Sequence, residues 1–283
     1  MARRRKIKKH TASKIIIAVV VILLIVAIAL GIFYAVAPEE FNALKEKLFP
    51  SEPSSPGTQP TLEGTLEMTV IDIGQGDCIF LQFPDGQTMI MDAGSEFGST
   101  NEYDQLTAHL DLRGIDSLDY VFITHSDYDH IRYMQDIFED YEVKNIYMPR
   151  VADDMSATWT KTVAAIEEET WTNESGETVD SEIYYTVGDF VIQGEDWTMN
   201  CHSYLEDDYP SVKESSSAEV KNAVSPVCFL EYADRTIVLT GDSNERNEEY
   251  LLERGVLDKD ADVLKVGHHG SRTSTIQEFL NAV

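Results

Sequence analysis

Apolar and polar positions divide the chain into three stretches. The first is an uncharged, almost wholly apolar run from Ile15 to Ala37, long enough to span a bilayer as one helix. The second, Pro50 to Pro60, is rich in Pro and Ser and reads as an extended linker. From Leu66 onward, short apolar runs alternate with turn residues and amphipathic segments. Strands are predicted over 66–73, 78–83 and 88–91, with Pro84-Asp85-Gly86 as a hairpin turn. Tyr103, Leu106, His109 and Leu110 have helical spacing that stops at Gly114. A buried strand over 118–124 follows, then a helix from Asp129 to Asp140, a strand over 143–148 and a helix over 156–169 capped by Ser156. Short strands over 183–187, 190–193 and 197–201 have hairpin spacing. Residues 206–222 are acidic and serine-rich and read as a long mobile loop. Strands over 224–232 and 236–240 form a hairpin through Ala233-Asp234-Arg235. A helix over 245–254 stops at Gly255, a strand covers 261–266, and a helix begins at Thr275. Strands and helices recurring in two halves predict two sheets packed face to face with helices outside.

Charge sharpens the division. Seven basic residues (Arg3, Arg4, Arg5, Lys6, Lys8, Lys9, Lys14) precede Ile15, and no acidic residue occurs before Glu39. This asymmetry places the amino terminus in the cytoplasm and the remainder outside the membrane. A cleaved signal peptide is the rival, because Ala35-Val36-Ala37 has the form of a cleavage site. The expected organisation is a cytoplasmic tail (1–14), a transmembrane anchor (15–37), a stalk and linker (38–60) and a folded domain (61–283). Of 22 basic and 50 acidic residues in the chain, the part after Lys14 keeps 15 basic ones and all the acidic ones. Such a surface repels polyanions in bulk, so a polyanionic substrate needs metal ions or a local basic patch. Cys78, Cys201 and Cys228 form no close-spaced pair, and no disulfide is expected. No segment points to a protein partner.

The chemistry gathers at strand ends. Val121 to Thr124 leads into His125-Ser126-Asp127-Tyr128-Asp129-His130, two histidines and two more carboxylates within six residues. Imidazole with carboxylate suits zinc, manganese or iron. Thr240-Gly241-Asp242 and Gly267-His268-His269-Gly270-Ser271 repeat the arrangement of an apolar strand, then glycine, then ligand-type side chains.

The segment from His125 to His130 resembles the His-x-His-x-Asp-His metal motif of the metallo-β-lactamase superfamily, with Asp127 in the second position. Asp72-Ile73-Gly74-Gln75-Gly76-Asp77, Met91-Asp92-Ala93-Gly94, Leu239 to Asp242 and Leu264 to Ser271 extend that likeness to the extracytoplasmic hydrolase domain of ComEC-type competence proteins. The resemblance covers about Leu66 to the end. It implies an αββα four-layer sandwich with two divalent metal ions, Zn or Mn, at one edge. By position, His125 and Asp127 would hold the first ion, and Asp129 and His130 the second. Asp242 would bridge them and His268 complete the second, with Asp129 and His269 in catalytic roles. The sequence leaves open which of His268 and His269 is the ligand. Asp92 matches the family's structural aspartate, Gly74 and Gly76 let Gln75 and Asp77 approach the site, and Asn222 and Ser225 read as structural. His202 reads equally well as a surface histidine and stays outside the set.

The chain also departs from the family. Ile131-Arg132-Tyr133 stands where many relatives have Gly-Gly, so Arg132 is a candidate to grip a phosphate. The family's polytopic channel is replaced by one anchor. The chain ends where the fold ordinarily adds a strand, which suggests a fragment or an open sheet edge. The leading expectation is an anchored phosphodiesterase or nuclease, with single-stranded DNA among its substrates. The alternatives are a cell-wall or phospholipid head-group phosphodiesterase of the phosphorylcholine-esterase kind, and a non-catalytic binding module.

Overall fold

A computed structural model describes residues 64–97, 100–152, 155–257 and 259–283, all within the unit Gly57–Val283. The expected anchor and linker lie outside them. Among the described residues, no helix is long and apolar enough to cross a membrane.

The first half contains β1 (Glu67–Val70), β2 (Cys78–Gln82), β3 (Thr88–Ala93), α1 (Thr100–Asp111), β4 (Ser117–Phe122), α2 (Tyr128–Ile131), α3 (Met134–Asp140), β5 (Glu142–Met148) and α4 (Ala157–Glu168). After them come the ribbon strands β6 (Thr170–Thr172) and β7 (Thr178–Asp180), then β8 (Glu182–Tyr185). The second half has β9 (Asp189–Gln193), β10 (Trp197–His202), α5 (Ala218–Asn222), β11 (Val227–Tyr232), β12 (Arg235–Leu239), α6 (Glu245–Arg254), β13 (Val263–Leu264) and α7 (Gln277–Leu280). Among the described residues one sheet has the order β1-β2-β3-β4-β5-β8, and the other β13-β12-β11-β10-β9.

Strand periodicity sorts side chains into three apolar layers. In β2, Phe80 joins the layer beneath α1, α3 and α4, whereas Ile79 and Leu81 face the opposite sheet. In β11, Cys228 and Leu230 face the first sheet while Val227 and Phe229 pack towards α6 and α7. Helices therefore cover both outer faces and a shared apolar layer joins the sheets, giving four layers of secondary structure.

Local signals set several boundaries. Ser156 Oγ accepts from Trp159 N at the start of α4, and Gly255 ends α6 in the left-handed region at φ 67. Three expectations differ. The helix expected over 129–140 breaks into α2 and α3, because Tyr133 N donates to Ala93 O at 2.9 Å instead of to its own helix. The hairpin spacing of 183–187 and 190–193 is not used as a hairpin. Instead β8 pairs in parallel with β5, Ile183 opposite Ile146, and β9 starts the other sheet against β10. Residues 206–222 are tethered: Val212 is buried, its carbonyl accepts from Ala152 N, and Tyr209 Oη accepts from Arg150 N. The β6–β7 ribbon was not expected; Asn173 Oδ1 closes its turn by accepting from Ser175 N and Glu177 N. The three cysteines are buried and free, with Cys201 opposite Cys228 in the ladder.

Two glycines let backbones meet under the future site. A Cβ on Gly76 would lie 2.1 Å from Gly94 O and 2.4 Å from Asp129 O, and one on Gly94 would lie 2.4 Å from His130 N. Backbone at three turns cannot yield cheaply. Gly94→Ala is expected to destabilise the domain by about 1–3 kcal/mol, measured by urea denaturation.

Candidate metal centre

The ends of β3, β4, β12 and β13 deliver the polar groups to one edge of the sandwich. Asp92 lies at the end of β3 with φ 57, in the left-handed region that aspartate tolerates better than most residues. Its side chain is buried and accepts three hydrogen bonds. Thr124 N donates to Oδ1 at 2.8 Å and Thr124 Oγ1 to Oδ2 at 2.7 Å, while His130 Nδ1 lies 2.8 Å from Oδ2. Because the Thr124 hydroxyl spends its proton on Asp92, it accepts from His125 Nδ1 at 3.1 Å. Both imidazoles thus carry their proton on Nδ1 in the metal-competent form and direct Nε2 inward. Outer partners of this kind orient metal-binding histidines.

The inward nitrogens meet carboxylates in two groups that share Asp242. His125 Nε2 lies 3.9 Å from Asp127 Oδ2 and 3.8 Å from Asp242 Oδ2. On the other side, His130 Nε2 lies 3.2 Å from Asp242 Oδ1 and 3.3 Å from His269 Nε2. His269 Nε2 is in turn 3.5 Å from Asp242 Oδ1 and 3.3 Å from Asp129 Oδ2. Such separations suit donors about 2.0–2.2 Å from a common ion. Buried His125 Nε2 has no hydrogen-bond partner, as a lone pair awaiting a cation would. The donors are nitrogen and oxygen without thiolate, so the residues fit zinc, manganese or iron.

Asp77, His130, Asp242 and His269 offer atoms within 4.8 Å of one another. Asp77 Oδ1, however, lies 3.3 Å from His269 Nδ1, on the ring edge away from Nε2. Its place is behind the imidazole. His268, expected to complete the second set, has Nε2 3.9 Å from Asp242 Oδ2 and is one-third exposed. The inner position belongs to His269, which follows it on the tight turn His268–Gly270, both residues having positive φ. Asn222 Nδ2 donates to Asp242 Oδ2 at 3.3 Å and Asp242 N donates to Ser225 Oγ at 3.2 Å, so both act by holding Asp242. His202 stands apart, with Nδ1 2.8 Å from Asp189 Oδ1. The sequence reading missed two lysines: Lys221 Nζ is 3.6 Å from Asp127 Oδ1 and Lys265 Nζ is 2.7 Å from Asp77 Oδ2. The only available signal was that Lys265 precedes the ligand turn by a few residues.

Electrostatics follow the same division. Burial, reinforced by the neighbouring His130, pushes the His125 imidazole down to about 3 and keeps it neutral. Burial alone would raise Asp242, but the His130 hydrogen bond and the charge of the surrounding imidazoles hold it well below the usual carboxylate range. Hydrogen bonds to Asp129 and Asp77 raise His269 to about 9 without metal.

Two outcomes are expected. His269 is raised above its unfolded value, so its contribution to metal-free stability is complete below about pH 6.5 and disappears as pH rises through about 9. Thermal melts of chelator-treated protein across that range check the sign, and added zinc should release a proton at pH 7 in calorimetry. Asp92→Asn should weaken metal affinity about 10–100-fold by misorienting His125 and His130, read by chelator competition.

Comparison with known proteins identifies relatives of the chain. The family model described as metallo-beta-lactamase superfamily matches residues 71–283. ComE operon protein 3 of Bacillus subtilis is 29% identical over 236 residues, 78% of this chain and 27% of that protein. Recombination protein 2 of Haemophilus influenzae is 27% identical over 222 residues, 77% of this chain and 23% of that one. The chain thus spans about a quarter of the length of these relatives. Among solved structures, the metallo-beta-lactamase fold protein YhfI from Bacillus subtilis aligns with a TM-score of 0.41 and 13% identity, over 70% of this chain and 69% of that one. With the family model covering the whole described domain beyond β1, the chain belongs to the metallo-beta-lactamase superfamily.

Proposed function

We propose that the protein is a binuclear-metal phosphodiesterase, held at the membrane by Ile15–Ala37 with its domain outside the cytoplasm, and that single-stranded nucleic acid is its favoured substrate. One observation carries the reading: the two oxygens of Asp242 serve two separate donor sets. His125 and Asp127 with Asp242 form one set; Asp129, His130 and His269 with Asp242 form the other. Two divalent ions bound there, zinc or manganese, would supply Lewis-acid activation of water and of the phosphoryl oxygens.

The remaining work falls to the chain's own groups. Asp127 in place of a neutral imidazole makes the first set harder and favours manganese. In this reading the ligand role goes to His269, and the proton for the leaving oxygen comes from His268 Nε2, which borders an open cavity of about 590 Å³. Asn222 Nδ2 holds the Asp242 carboxylate and Ser225 Oγ holds its backbone N.

The names of the two relatives support a nucleic-acid substrate, recombination being a process of DNA. The site supports it too. Tyr128, inside the ligand motif, is 40% exposed, and Phe97, on the loop after β3, is 78% exposed. Arg132 stands beside Tyr128: its guanidinium is 5.2 Å from the Tyr128 ring centroid, and Nη1 donates to the carbonyl of Ser95, two residues before Phe97. Exposed rings beside a guanidinium suit unpaired bases, which stack at about 1–3 kcal/mol each. One observation favours head-group diesters instead. The 590 Å³ cavity is lined by Glu219, Glu245 and Glu249 against Arg246, a balance suited to an amine.

The test uses the full chain loaded with zinc or manganese, assayed on bis-p-nitrophenyl phosphate, single-stranded DNA and phosphorylcholine diesters. Two ions per chain and diester cleavage that falls at least about 100-fold in Asp129→Ala are expected. Tyr128→Ala should lower DNA turnover about tenfold while sparing the small diester. A folded protein with neither metal nor turnover would leave an anchored binding module.

A further inference from the structure

Lys265 lies on the connection between β13 and the ligand turn, with only 15% of its side chain exposed. Its ammonium forms an ion pair with Asp77 Oδ2 at 2.7 Å and donates to Gly241 O at 2.9 Å and Val266 O at 3.2 Å. The three oxygens belong to three separate turns. Asp77 ends the β1–β2 loop, Gly241 precedes the bridging Asp242, and Val266 precedes Gly267 and the two histidines. One cation therefore joins the turns that bring Asp77, Asp242 and His269 together.

The connection continues through Asp77. One of its oxygens faces Lys265 and the other lies 3.3 Å from His269 Nδ1. A proton held on Nδ1 leaves the lone pair on Nε2, which points at Asp129, Asp242 and His130. We propose that Lys265 is a positioning residue of the metal centre: by holding Asp77 it sets the tautomer and ring orientation of His269, and so forms the site of the second ion. The inference rests on the binuclear reading above.

The chemistry of the site gives this cation a reason to exist. Asp77, Asp92, Asp127, Asp129 and Asp242 all lie at one sheet edge. A carboxylate there with a free oxygen would compete for the ion or take up a proton. Asp77 has neither option, since Lys265 takes one oxygen and the His269 ring the other. Its 13% exposure leaves little water to replace either partner. This is why Asp77 orients a ligand although it lies within reach of becoming one. Arginine would not substitute well, because a planar fork cannot serve three oxygens radiating from one nitrogen.

The test titrates the full chain with zinc and with cobalt(II) against a chromophoric chelator, for wild type, Lys265→Met, Asp77→Asn and the double variant. Melts with excess chelator show that each variant is folded. Wild type should bind two ions. Each single variant should weaken one ion about 10–100-fold, leave the other within about threefold, and change the cobalt absorption of the weakened site. The double variant should lose no more than Asp77→Asn alone, because the lysine acts through that carboxylate. Unchanged affinities, equal weakening of both ions or additive losses would overturn the proposal while leaving the binuclear reading intact. A wild type that binds no ion would overturn both. Should Lys265→Met fail to fold, the nearly isosteric Asp77→Asn decides alone: wild-type affinity for both ions overturns the proposal, and selective loss of one supports it.

Discussion

The buried carboxylate of Asp92 organises the turn on which the metal centre depends. Removing an anion from water costs several kcal/mol unless donors replace the lost hydration, and here Thr124 N, Thr124 Oγ1 and His130 Nδ1 replace it. Those bonds fix the backbone after β4, align two imidazoles and assign their tautomers. The left-handed backbone at Asp92 costs on the order of 1–3 kcal/mol, and the hydrogen bonds it permits offset that cost. Much of the ligand geometry therefore exists before any ion arrives.

Charge is the second constraint. Five aspartates converge at one sheet edge of a chain already strongly acidic, which no isolated fold would tolerate without compensation. Lys221 beside Asp127 and Lys265 beside Asp77 supply part of it. His269 supplies more while metal is absent, since Asp129 and Asp77 keep it protonated to about pH 9. Under the proposed function metal ions would be the remainder, and they would replace a proton that the centre otherwise holds. Under the proposed function the same balance would make an acidic surface compatible with an anionic substrate: attraction would be local to the ions and to Arg132, not a property of the whole molecule.

Much of the fold was legible because its signals are local. Short apolar runs bounded by turn residues marked β2, β3, β11 and β12, Ser156 announced α4, and Gly255 ended α6 where expected. What was not legible depended on partners distant in sequence. The break between α2 and α3 arises from a bond between Tyr133 N and Ala93 O. The assignment of β8 and β9 to different sheets depends on the free edge of β5. The acidic segment 206–222 looked mobile because its composition is polar, yet Val212 and Tyr209 tie it to the strand end after β5.

The sequence by itself determined which residue types reach the strand ends and in what order: His125, Asp127, Asp129 and His130 on one turn, Asp242 and the His268-His269 pair on two others. A strand ending in glycine and ligand-type side chains is a short-range pattern, and it carries the chemistry of the donor set with it. Only the tertiary structure decided which histidine of the pair turns inward, that Asp77 stands behind a ligand, and that Lys265 joins three turns. Those outcomes are distances between groups up to about 190 positions apart in the chain, set by how two sheets pack, and side-chain geometry across a packed interface leaves no local trace.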